Sequence, residues 1–71
     1  MAKKYLVTDY IIVRLHGLLT VRKWYCPDSR PYKLSFYYET GVDVTPDFKD
    51  EDECTKAFNT VVAYLESEEG G

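Results

Sequence analysis

The chain is short of the residues that most chemistry is built from. It has one histidine and two cysteines, and each scarcity removes a class of function. A histidine-based hydrolytic site would have to be built on His16, yet no serine or cysteine sits in an elbow-like turn beside it. Cys26 and Cys54 form no CxxC or other paired spacing, so neither a disulfide framework nor a zinc site is expected, and a reduced, cytoplasmic setting is. No glycine-rich loop is present to cradle a phosphate. The acidic run Asp47–Glu53 lacks the glycine and the ligand spacing of a calcium loop. Apolar runs last only a few residues, far short of the roughly 20 needed to cross a bilayer. The N-terminus likewise lacks the apolar stretch of a signal peptide. These absences predict a protein that is not an enzyme, holds no cofactor or metal and does not enter a membrane.

What is present suits a compact fold. At 71 residues with 45% hydrophobic and 15% aromatic content, the chain predicts one domain, 1–71, with an adequate core. A chain this short buries only about 60% of its unfolded surface, so oligomerisation would help it. Its net charge of −3 is unevenly spread. The first 36 residues carry seven basic side chains against two acids, and the rest carry two against ten. Such a split suggests two differently charged faces or an acidic tail.

Period-two alternation dominates the first two thirds. Tyr5–His16 reads as a long first strand with the odd set, Tyr5, Val7, Ile11, Val13 and Leu15, toward the core, interrupted by Asp9. Gly17 supplies a turn. Leu18–Tyr25 reads as a second strand, antiparallel to the first, with Leu19, Val21 and Tyr25 inward, Lys23 misplaced among them, and Thr20, Arg22 and Trp24 outward. Cys26–Tyr32, with two prolines, is a loop. Lys33–Thr40 is a third strand, with Leu34, Phe36 and Tyr38 inward and Lys33, Ser35, Tyr37 and Glu39 outward. Val42–Thr45 is a short fourth strand or a continuation of the third, and Thr45–Lys49 a turn that tucks Phe48 under the sheet.

The remaining segment is the one stretch with a 3.6-residue period. Asp50–Glu66 predicts an amphipathic helix, with Cys54, Phe58, Val61 and Leu65 on one stripe and Ala57 and Val62 on its flanks. Asp50 is the N-cap and Glu53 completes a capping box. Ser67–Gly71 is expected to fray as an acidic tail. The expected fold is α+β: a three- to four-stranded antiparallel meander packed on one C-terminal helix.

Two surfaces then offer themselves for binding. One is acidic: Asp47, Asp50, Glu51, Asp52 and Glu53, continued by Glu66, Glu68 and Glu69, suited to a basic groove on a partner protein. The other is the outward sheet face, expected to gather Tyr10, Arg14, Arg22, Trp24, Lys33 and Tyr37. Aromatic and basic groups on an open sheet suit single-stranded nucleic acid. They suit a protein interface or a homodimer seam equally. A bulge would return some of these aromatics to the core.

Two short resemblances bear on that choice. The stretch GVDVTPDF, after VRKWYCPD, resembles the strand–turn–helix end of the sheet in the single-strand-binding coactivator family. The lysine that usually precedes that glycine is absent here, replaced by Glu39-Thr40, which weakens the implied phosphate contact. The order of three strands followed by FKDEDECTKAF and a helix is similar to the plant ethylene-response and integrase arm-binding DNA domains. That likeness would give Arg14 and Arg22 the role of reading DNA. The negative overall charge argues against nucleic acid, since its binders carry a basic balance. The leading expectation is an acidic inhibitor or adaptor of the phage or mobile-element type, acting on a host nucleic-acid-handling protein. Single-stranded nucleic-acid binding is the alternative.

Overall fold

The computed structural model describes residues 4–70, leaving aside the side chains of 68–70. Seven elements follow in order: β1 Tyr5–Val7, β2 Ile12–Arg14, β3 Leu18–Tyr25, β4 Tyr32–Tyr38, β5 Asp43–Val44, β6 Asp47–Phe48 and helix α1 Glu51–Gly70. They build an α+β fold in which antiparallel sheets pack on the single C-terminal helix.

The expected first strand is a hairpin. β1 and β2 pair antiparallel, Leu6 opposite Val13, and form a two-stranded sheet of their own. Thr8 makes the turn without glycine or proline. Its hydroxyl accepts from the Ile11 N–H at 3.1 Å and from the Tyr10 N–H at 3.3 Å. Side-chain bonds of this kind let serine and threonine stand in for a backbone turn. Reversing the chain there switches the parity of the buried set. Even-numbered Leu6 and odd-numbered Val13 and Leu15 are buried, whereas Tyr5 and Val7, expected inside, are 49% and 68% exposed.

β3 spans the residues expected for it but does not pair with the hairpin; its one neighbour is β4. β4 is central and carries β5 and β6 on its other side. Every partner pair from Phe36–Val44 to Tyr32–Phe48 holds one continuous register. β5 and β6 are thus one edge strand interrupted at Thr45–Pro46, in place of the turn expected at 45–49. The interruption has a chemical cause. The Leu34 N–H donates to the Pro46 carbonyl at 3.0 Å, but proline has no N–H with which to return the bond. Gly41, at φ 88°, closes the four-residue connection between β4 and this edge, with the Gly41 N–H donating to the Tyr38 carbonyl at 3.0 Å. A left-handed residue after a tight turn is the usual geometry of such loops, and glycine adopts it without strain.

Within the four-stranded sheet the inward set is Val21, Lys23 and Tyr25 on β3, Leu34 and Phe36 on β4, and Val44, Pro46 and Phe48 on the edge strand. Leu34, Phe36 and Pro46 are fully buried. A bulge between Leu18 and Thr20 breaks the alternation, so Leu18 is buried and Leu19, expected inside, is 58% exposed. Tyr25, also expected inside, lies at the sheet's end and is 61% exposed.

Helix α1 is capped by Asp50. Its carboxylate accepts from the Asp52 N–H at 3.1 Å, and its carbonyl accepts the first intrahelical bond from the Cys54 N–H. The buried line is Cys54, Ala57, Val61 and Tyr64, with Phe58, Val62 and Leu65 half-buried beside it. Relative to the expected stripe, the buried side is rotated toward Ala57 and Tyr64. The reason is that β1 packs along that flank and supplies a second wall. The helix also continues past Glu66 to Gly70, where a frayed tail was expected; Gly71 lies outside the described residues.

Candidate functional site

Paired residues of an antiparallel ladder share a face, which sorts the expected binding residues directly. Arg22, Trp24, Lys33 and Tyr37 lie together on the outer face of the four-stranded sheet. Tyr10 and Arg14 do not join them. Tyr10 sits in the β1–β2 turn, and Arg14 is on the exposed face of β2 opposite Tyr5, in the other sheet. The arrangement therefore separates Arg14 from Arg22, which the likeness to sheet-reading DNA domains would have act together.

Much of the outer face is occupied by its own charges. Arg30, which sequence reasoning overlooked, reaches from the β3–β4 loop to Asp47, Nε to Oδ1 at 2.8 Å, and to Asp9, Nη2 to Oδ1 at 3.0 Å. Its guanidinium lies 4.8 Å over the Tyr10 ring, within cation–π range. The Tyr10 hydroxyl donates to Asp47 Oδ1 at 2.8 Å and accepts from the Asp47 N–H at 3.0 Å. Lys33 completes the cluster, with Nζ 3.0 Å from Asp28 Oδ2 and 3.6 Å from Asp47 Oδ2. It also donates to the Arg30 carbonyl. One constellation thus fastens the hairpin tip, the Cys26–Tyr32 loop, β4 and the edge strand together. The available signal was charge alternation: Asp9 breaking an apolar set, and Asp28 and Arg30 inside a proline loop.

Electrostatics follow from these contacts. Partial burial pushes the Asp47 carboxyl up, but the Tyr10 hydroxyl, Arg30 and Lys33 outweigh it and hold it below the usual carboxylate range. Asp28 is held low by the Lys33 ammonium and the Arg30 N–H. Lys33 is raised in turn, chiefly by Asp28. Tyr10 is raised, first by burial and then by the neighbouring Asp47 carboxylate.

Asp47 was expected on an acidic docking face; its charge is instead spent inside the molecule. Trp24 is half-buried and its indole N–H donates to the buried Ser35 hydroxyl at 2.7 Å. Of the outer-face residues expected to bind, Arg22 and Tyr37 stay exposed, and Arg22 has no ion-pair partner among the described residues.

The start of α1 is different. Asp50, Glu51, Asp52 and Glu53 are all exposed, and among the described residues none of them forms an ion pair. They sit where the partial positive charge of the helix N-terminus favours anions. Glu66 is exposed far along the same helix, and the side chains of Glu68 and Glu69 are outside the described ones. Cys54 faces the core, and burial pushes its thiol up, so it is a poor nucleophile. No group of histidine, cysteine and acidic side chains among the described residues is arranged to hold a metal ion. No described helix is long and apolar enough to cross a membrane. No protein-family model, curated protein or solved structure matches the chain.

Proposed function

We propose that the protein is a small non-enzymatic binding protein that docks on a basic surface of a partner protein through the acidic first turn of α1. In this reading it is an inhibitor or adaptor of the type that phages and mobile elements direct at host nucleic-acid-handling proteins. The observation that carries it is the run Asp50–Glu53, four consecutive exposed carboxylates with no ion pair among the described residues. Unpaired charge of one sign on a rigid helix end steers a complementary surface and sets orientation on contact. The helix is well anchored for that task, since Cys54 and Val61 are fully buried.

The test is capture from a bacterial lysate at low salt, comparing the wild-type chain with a Glu51→Gln, Asp52→Asn, Glu53→Gln variant. A specific captured protein that is lost with the variant and released by salt is expected. Capture that survives all three substitutions at full strength refutes the assignment. A second reading, single-stranded nucleic acid on the outer sheet face, is favoured by the exposed Arg22 beside Trp24 and Tyr37. Titration of the protein with a mixed-sequence oligonucleotide, followed by Trp24 fluorescence, separates the two. Saturable quenching that weakens as salt rises would move the function to the sheet.

A further inference from the structure

β3 has one paired edge and one bare edge. The Cys26 N–H donates to the Pro31 carbonyl at 2.9 Å, and the β3–β4 register is constant from Thr20 to Tyr25. Thr20, Arg22 and Trp24 therefore aim their backbone groups at β4, and Val21, Lys23 and Tyr25 aim theirs away from it. No backbone hydrogen bond meets them there among the described residues. Beside this bare edge runs an open groove of about 470 Å³, lined by Lys23, Trp24, Tyr25, Tyr32, Glu51 and Cys54. Lys23 Nζ donates to Thr55 Oγ1 at 3.2 Å. Glu51, one helical turn before Thr55, accordingly lies toward the Tyr25 end of the groove.

We propose that the bare edge of β3 is the seam of an antiparallel homodimer centred on Trp24, in which Lys23 of each copy lies opposite Tyr25 of the other. A symmetric pairing must set outward-aimed residues against each other, which leaves few registers. Centring on Arg22 or on Lys23 places like charges directly opposite, which is unfavourable. Centring on Val21 runs Lys23 against Leu19 of the second copy, inside the bulge, where the ladder is broken. Centring on Trp24 has neither fault. It lets Lys23 and Tyr25 exchange backbone bonds twice across the twofold axis and brings the two indoles together as a close, non-hydrogen-bonded pair. It also delivers each Lys23 ammonium over a tyrosine ring, into the groove that holds Glu51 of the second copy. Lysine on a strand edge ordinarily discourages pairing. Here it is selective, because the one strand that meets it comes with a carboxylate placed to receive it. The seam needs no outside partner; it engages Glu51 of the acidic first turn of α1 and leaves Asp50, Asp52 and Glu53 to the docking role.

The test is sedimentation equilibrium of the full chain from about 10 μM to about 1 mM, a range that resolves weak dimers. Wild type is expected to dimerise. Lys23→Pro removes an N–H that the β4 ladder does not use, so the fold should survive, as checked by circular dichroism, while dimerisation weakens at least about tenfold. Lys23→Glu, which keeps the backbone intact, should weaken it similarly, and adding Glu51→Lys should restore it to within about threefold of wild type. A wild-type chain that stays monomeric at the highest concentration overturns the proposal. So does a dimer undiminished in Lys23→Glu, or a double variant no better than the single one.

Discussion

Two residues separate Asp47 from Asp50, yet their surroundings are opposite. Asp47 meets Arg30, Lys33 and Tyr10, and its charge is cancelled within the fold. Asp50 spends its carboxylate on a helix cap, and the three acids after it have no ion pair among the described residues. Both stretches look alike as sequence, a run of acids around Phe48 and Lys49. The difference shows that charge becomes available to a partner only where the fold has not already answered it. Asp47 lies on a strand whose neighbours across the ladder, Lys33, and from the β3–β4 loop, Arg30, are cationic. The acids of the first α1 turn form no ion pair among the described residues, and their favourable neighbour is the helix terminus itself.

The largest loss is expected at Asp47. Asp47→Ala leaves Tyr10 and Arg30 without their shared acceptor and should cost about 2 kcal/mol in urea unfolding. Asp50→Ala should cost about 1 kcal/mol by loss of the cap, leaving the polar cluster intact. Acid separates the regions further. Asp28 and Asp47 are held below their ordinary range in the folded state, so the stability they contribute is full above about pH 4, the unfolded value. It is lost as pH falls through their lower folded values. The urea midpoint of wild type should drop on that acid limb, and more gently in Asp47→Ala. The smallest effect belongs to Glu53→Gln, which should change stability by no more than about 0.5 kcal/mol while weakening partner capture. If Glu53→Gln proved as costly as Asp47→Ala, the distinction between answered and unanswered charge would collapse.

Alternation makes much of the sheet legible in the sequence alone. The bounds of β3, the inward Leu34 and Phe36, the outward Arg22, Trp24, Lys33 and Tyr37, and the Asp50 cap all follow from local patterns, and local patterns decide them. The hairpin did not, because a threonine hydroxyl makes its turn and the run Tyr5–Leu15 keeps alternating through it. The lone discordant residue, Asp9, marks the turn. The bulge at Leu19 was equally hidden, since it moves side chains between faces without altering composition. Tyr64 was missed because the packing of β1 beside α1, and not the helix's own period, sets which flank is buried. The polar cluster joins residues 9 and 10 to 47, a separation over which one sequence carries no pairing signal. That hidden cluster is what removed Asp47, Lys33 and Tyr10 from the candidate binding surfaces.

The Tyr10–Asp47 contact has a consequence for how the protein can behave at high concentration. It lays the hairpin tip against the far edge of the four-stranded sheet and engages the Asp47 N–H, leaving β3 as the long open edge. A building block with two open ends grows without limit, whereas one with a single end is finished after one addition. A tyrosine hydroxyl thus works against chain growth at this edge, by occupying a donor that another strand would need. It biases whatever pairing the sheet undergoes toward the single long edge at β3.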